Sequence, residues 1–117
     1  MDEIQIYEHT DAGYLPMHDF GAWRVALLNY APRFDIATMQ YLERHMETDE
    51  IFVLLKGEAF LIVGESMKHV PMEVGKIYNI PQAVWHNISV SKDASLLIVE
   101  NANTTKENSE HKPLSEF

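Results

Sequence analysis

The sequence predicts an all-β fold in a single domain spanning residues 1–117, and three observations carry that expectation. Helical periodicity is weak throughout the chain. Short β-branched and aromatic runs recur instead, punctuated by Gly, Pro, Asn and Asp at regular spacing. At 46% apolar content, 117 residues can build one core without staples. With no cysteine, the chain has neither disulfides nor thiolate metal sites, so any metal must be held by His and carboxylate side chains.

The predicted strands are Ile4–Glu8, Ala22–Tyr30, Thr38–Met46, Glu50–Leu55, Glu58–Val63, Lys76–Ile80, Val84–Val90 and Ala94–Glu100. Lys56-Gly57 predicts a tight hairpin between two of them, because glycine accepts the positive φ of such turns. Pro81 marks a strand end or a loop, since it cannot donate to a ladder. The barrel core is expected over about residues 36–100, with the polar stretch Asn101–Phe117 as a tail or a surface-packed extension. No repeat of solenoid period and no low-complexity tract interrupts this plan.

Three strands carry information about assembly. Ile51-Phe-Val-Leu-Leu55, Phe60-Leu-Ile-Val63 and Leu96-Leu-Ile-Val99 are apolar at consecutive positions, so both faces of each are oily. An antiparallel sheet with one wet face alternates instead. The second face is therefore expected to be covered by the N-terminal segment or by a second subunit, and a homodimer is the expectation. A net charge of −9 disfavours nucleic acid and anionic membranes as partners. No apolar run approaches the ~20 residues of a membrane span. Met-Asp-Glu-Ile lacks the basic and apolar regions of a secretion signal, which makes a cytoplasmic location the expectation.

Two segments carry chemistry. Glu43-Arg-His45-Met-Glu-Thr-Asp-Glu50 and Gly75-Lys-Ile-Tyr-Asn-Ile-Pro81-Gln-Ala83-Val-Trp-His86 each deliver a histidine beside a turn. Two imidazoles and one or two carboxylates on separate strands can converge inside a barrel. The second segment resembles the second motif of the cupin family: Gly75, Pro81 and His86 fall at its spacings, with Ala83 in the place of its second glycine and Val90 in that of its asparagine. The first is similar to the first cupin motif through Glu50 and Gly57. A four-residue spacer puts His45 at the second histidine of that motif and Glu43 at the first. A three-residue spacer would put Met46 and Arg44 there, and the four-residue register is preferred because it keeps a histidine.

The resemblance implies a double-stranded β-helix, or jelly-roll barrel, often dimeric, whose interior forms a ligand cavity. It implies His45, Glu50 and His86 as metal ligands, with Glu43 standing in for the missing histidine as a fourth ligand or a base beside the metal. Two neutral imidazoles and a carboxylate suit Fe(II), with Mn, Ni, Cu or Zn as alternatives, and three protein ligands leave positions open for substrate. Strand alternation puts Tyr41 with Glu43 and His45, and Phe52 with Glu50, as candidate substrate contacts. Arg24 joins them as an anion ligand if it points inward. His9, His18, His69 and His111 fall in predicted loops or the tail, without ligand spacing, and are expected to be solvated. Neither a phosphate loop, a nucleophile motif nor a Ca²⁺ loop is present.

The functional expectation is a small-molecule-binding protein with a divalent-metal site. If it is catalytic, the expected chemistry is oxygenation, isomerisation or a lyase reaction on a small polar acid or sugar derivative. The alternative is a metal-free, non-catalytic metabolite-binding module. A third reading is a stability or assembly role, with Met39, Phe52 and Leu54 filling the cavity.

Overall fold

The computed structural model describes residues 3–117. Its ten strands are β1 (Tyr14–Phe20), β2 (Trp23–Asn29), β3 (Tyr41–His45), β4 (Glu50–Lys56), β5 (Ala59–Val63), β6 (Lys68–Pro71), β7 (Ile77–Ile80), β8 (His86–Val90), β9 (Ser95–Asn101) and β10 (Ser109–Pro113). They form two five-stranded sheets, in the orders β1-β2-β9-β4-β7 and β10-β3-β8-β5-β6. Every pairing is antiparallel. This is the two-sheet barrel that the sequence predicts. No helix among the described residues is long and apolar enough to cross a membrane.

The core lies between the sheets because one face of each strand is apolar at every second residue. Ala26, Leu28, Phe52, Leu54, Leu96 and Ile98 come from the first sheet and meet Leu61, Ile88 and Val90 from the second. A smaller cluster of Met39, Leu42, Ile62 and Trp85 lies on the other side of the second sheet. Leu114 and Phe117 pack over it, with the Phe117 ring edge-on to Trp85 at 5.6 Å. The second apolar face of β5 is thus covered from within the chain, by its own C-terminal residues.

Several sequence expectations are corrected. Ile4–Glu8 forms no strand: it has no ladder partner, and Ile4 and Ile6 are 70% and 84% exposed. The first strand is β1 instead. Lys56-Gly57 makes no hairpin, because β4 belongs to the first sheet and β5 to the second. Gly57 (φ +80°) turns the chain from one layer to the other. Residues 101–117 are not a tail: β10 pairs with β3 through all five residues, from Ser109↔His45 to Pro113↔Tyr41. The strands that sequence reading missed, β1, β6 and β10, are all sheet edges. An edge strand needs few apolar residues, tolerates proline and is commonly charged, so it gives little periodic signal. Pro16 with its bulge, Pro71 and Pro113 mark those three edges.

Candidate metal centre

Strand register brings the candidate ligands together. On the second sheet, Glu43 of β3 stands opposite His86, the first residue of β8, and opposite His111 of β10. His45 follows two residues later on the same face. Glu50 opens β4 on the facing sheet, opposite Ile80. Donor atoms of Glu43, His45, Glu50 and His86 lie within 4.8 Å of one another, so the four-residue register places two carboxylates and two imidazoles at one point.

Backbone links fix this convergence. Ala83 N–H donates to His45 O at 2.8 Å, tying the turn before β8 to the end of β3. Ala83 holds φ +67° there, the left-handed conformation that glycine adopts more easily. Asp49 accepts from Gln82 N–H and from the Asn79 side chain, at 2.8 and 3.1 Å. The turn that leads into Glu50 is thereby fastened to the loop that leads into His86.

The hydrogen bonds determine which imidazole nitrogens face the centre. Val84 O can only accept, so His86 Nδ1, 2.9 Å away, carries a proton. His86 Nε2 then points at Glu50 Oε1, 2.8 Å away. His45 Nδ1 is bonded to Ser109 Oγ of β10 at 2.8 Å, and its Nε2 lies 3.1 Å from the same Glu50 oxygen. That second approach is not aligned as a hydrogen bond, and buried His45 Nε2 has no partner among the described residues. Two buried imidazoles, each anchored through its outer nitrogen, thus crowd their inner nitrogens onto one carboxylate oxygen. Anchoring of this kind is how proteins orient metal-binding histidines, and the donor set fits a divalent transition metal.

Without a cation, protons hold the cluster together. Burial pushes the Glu50 carboxyl up, yet the two imidazoles beside it outweigh burial and hold it down at about 2. Burial alone would lower both histidines, and the Glu50 carboxylate reverses this, raising each above the ordinary histidine range.

Above the cluster is a cavity of about 250 Å³, lined by Tyr41, Phe52 and Arg24 among others. Phe52 is buried with its ring edge-on to His86 at 5.9 Å. Tyr41 stacks on His111 at 4.0 Å. Arg24 reaches the cavity wall, but its guanidinium is already bound to Asp19 and to the carbonyls of Ala102 and Thr104. Of the remaining histidines, His18 lies on β1, His69 on β6 and His111 on β10 rather than in loops, while His9 lies outside the strands as expected. His111 is half exposed, as expected, yet its Nε2 lies 3.4 Å from Glu43 Oε2 at the cavity.

Sequence reading missed Ser109, His111, Tyr14 and Glu100. A signal for the first two exists in the alternation Ser109-Glu110-His111, which puts both on one strand face. Glu100 is buried on the cavity wall and accepts a 2.6 Å hydrogen bond from Tyr14. Burial, reinforced by the charge of Glu50, raises its carboxyl above the usual carboxylate range. A carboxyl raised by folding destabilises the fold above its unfolded pKa, and the penalty disappears as pH falls through that range. Glu100→Gln keeps an acceptor for Tyr14 and removes the charge. The variant should therefore gain about 1 kcal/mol at neutral pH, the scale of an uncompensated buried polar group. Urea midpoints should show the gain shrinking toward acid pH.

No family sequence model matches the chain, and no curated protein matches it by sequence. Solved structures do match. A cupin-2 domain-containing protein from Shewanella frigidimarina superposes with a TM-score of 0.61 at 16% identity, over 80% of this chain and 84% of that one. A cupin protein from Bacteroides fragilis superposes at 0.62, with 16% identity and 90% of each chain covered. The chain is a cupin-fold protein. Another cupin-like barrel, Streptomyces Pac13 with uridine, aligns at a TM-score of 0.65 over 94% of this chain and 93% of that one, at 8% identity. Pac13 is described as a nucleoside dehydratase. In the present cupin barrel, the His/Glu group lies in the cavity between the two sheets.

Proposed function

We propose that this cupin barrel binds a divalent transition metal through His45, Glu50 and His86, with Glu43 as fourth ligand or adjacent base, and acts on a small polar molecule held in the cavity. One observation carries the reading: two buried imidazoles, each anchored through Nδ1, aim their inner nitrogens at one carboxylate oxygen. Fe, Mn, Ni, Cu and Zn all accept such a donor set. When bound, the metal supplies a Lewis acid that polarises a substrate oxygen.

The chain's own residues suit a lyase or isomerase more than an oxygenase. An isomerisation moves a proton between two substrate atoms. An elimination takes a proton from one atom while the leaving group departs from its neighbour with the bonding pair and is protonated. The cavity holds carboxylates at two places for such proton transfers, Glu43 beside the imidazoles and Glu100 with Tyr14 on the wall. Phe52 and Tyr41 supply apolar walls that exclude water from the reacting atoms. The dehydratase activity of the fold neighbour Pac13 is an elimination of this kind. A cytoplasmic homodimer completes the reading.

The second reading, a metal-free binding module, is favoured by the direct His86–Glu50 contact of 2.8 Å, which satisfies both groups without a cation. Elemental analysis of untagged protein, purified without chelator, separates the two. About one equivalent of transition metal per chain is expected, falling to background in the His45→Ala, His86→Ala double variant. No metal after incubation with Fe(II), Mn(II), Ni(II), Cu(II) and Zn(II) would leave the binding module.

A further inference from the structure

Three of the chain's nine basic side chains line the cavity: Arg24, Arg33 and Lys106. Arg24 is already engaged, since Asp19 and two carbonyl oxygens take its donors. Arg33 and Lys106 are not. Acidic partners go to Arg24, Arg44, Lys76 and Lys112, and neither Arg33 nor Lys106 has one among the described residues. This is so in a chain with eighteen acidic side chains. Both residues are exposed while lining the cavity, which places them at its rim.

Two fastened turns carry these cations. Arg33 lies in the short 3-10 helix Pro32–Phe34, which the buried Phe34 roots in the core. Thr38 Oγ1 donates to Pro32 O, and Ile36 N–H donates to Ser89 Oγ of β8 at 3.0 Å. The Arg33 guanidinium stands 4.5 Å from the centre of the Phe34 ring. That contact uses none of its N–H donors, so the fork that matches a carboxylate stays free. Lys106 opens the second turn, Lys106–Asn108, which reciprocal hydrogen bonds between Thr105 and Asn108 close. Asn108 O accepts from Met46 N–H at 2.8 Å, tying this turn to the residue after His45.

We infer that the substrate is a small carboxylic acid, its carboxylate held at the rim by Arg33 and Lys106 and its uncharged end directed to the imidazoles. The separation of charge along the cavity carries this. Glu50 and Glu100 are buried within it and Glu43 is half-buried beside them, whereas both free cations stand at the opening. An anion is attracted at the rim and repelled by the inner carboxylates, so charge decides which end enters. Glu43 and Glu100 then meet the carbon chain, where proton transfer takes place. Size favours a carboxylate over a phosphate. The cavity of about 250 Å³ has room for about eight water molecules at ~30 Å³ each. A phosphate group would fill more than half of that, and a carboxylate leaves most of it for the reacting chain. The anion-binding part expected of Arg24 thus falls to Arg33.

This inference rests on the reading of the cavity as a substrate site and does not require the metal. Binding is followed by NMR of the backbone amides, on chelator-treated and then on metal-loaded protein. The probes are 3-hydroxybutyrate, its primary amide as the uncharged match, and inorganic phosphate. The acid should shift the amides of residues 32–34 and 105–109 and bind at least about tenfold more tightly than the amide, as loss of a charge-assisted pair implies. Arg33→Gln and Lys106→Gln should each weaken the acid about fivefold, the upper range for an exposed ion pair, and leave the amide unchanged. Lys68→Gln removes another lysine without an acidic partner, on β6 and away from the cavity, and should change neither. All three sites are exposed, so the substitutions leave the fold intact, which circular dichroism verifies. Equal affinity for acid and amide, tighter binding of phosphate than of the acid, or an equal loss in Lys68→Gln overturns the inference while the cavity reading stands. Binding of neither acid nor amide, with or without metal, overturns both. A protein that takes up no metal yet binds the acid through Arg33 sinks the metal reading alone.

Discussion

Glu50→Ala should lower the stability of the metal-free protein by about 3–5 kcal/mol near pH 6, the cost of leaving a buried charge without its partner. The carboxylate is buried and lies within 2.8 and 3.1 Å of two imidazole nitrogens. Folding lowers the Glu50 pKa to about 2 and raises those of both histidines. The Glu50 contribution is therefore present above the unfolded carboxylate pKa and is lost as pH falls toward its folded value. The histidine contribution is complete below the unfolded histidine pKa and is lost as pH rises through the raised folded values. Between those limits the cluster holds together as an ion pair. In the alanine variant burial acts unopposed, and the histidines must shed protons to fold. The deficit should thus be widest in the weakly acidic range and narrow toward alkaline pH. Urea unfolding of chelator-treated protein across this range tests it, and a deficit independent of pH would show that the imidazoles are not coupled to Glu50.

Gly57→Ala should cost about 2–5 kcal/mol, combining a left-handed backbone penalty of 1–2 with an overpacking penalty of 1–3. Gly57 has φ +80°, and a Cβ there would sit 2.6 Å from Ala94 Cα and 2.9 Å from Ala94 N. Those are backbone atoms just before β9, so they cannot swing aside. Ser91 Oγ, also 2.9 Å away, is held by bonds to Glu58 N–H and to Asp93. Gly64→Ala is the control. Gly64 has φ +84° but nothing within 4 Å of a Cβ, so it should cost only the conformational part, about 1 kcal/mol. Met67 and Ala83 already hold positive φ in this chain, which shows that open sites tolerate a side chain. Equal losses in both variants would remove the close approach at Gly57 from the explanation.

The central strands β2, β4, β5, β8 and β9 were legible because each has neighbours on both sides and at least one buried face, which imposes apolar residues. The edges β1, β6 and β10 were not. One of them matters for the site: β10 carries Ser109, which anchors His45, and His111, which reaches Glu43. Read as a polar tail, Ser-Glu-His-Lys-Pro gives no apolar signal of a strand, because its polar side chains face solvent and the cavity rather than the core. The motif spacings did single out Glu43, His45, Glu50 and His86, and alternation added Tyr41. Glu100 escaped notice as the polar end of an apolar run, since burial of a carboxylate is a property of its surroundings.

By itself, the sequence determined the all-β class, the strands at the centre of each sheet and the candidate ligands, since local alternation and fixed motif spacing encode all three. Only the tertiary structure decided where the chain passes from one sheet to the other, that β10 completes the site, and which charged side chains border the cavity. Those features depend on pairing between residues far apart in the chain, such as Ser109 with His45 or Leu15 with Leu27. Such pairing is set by competition among all strand edges for partners, and no single segment records its outcome.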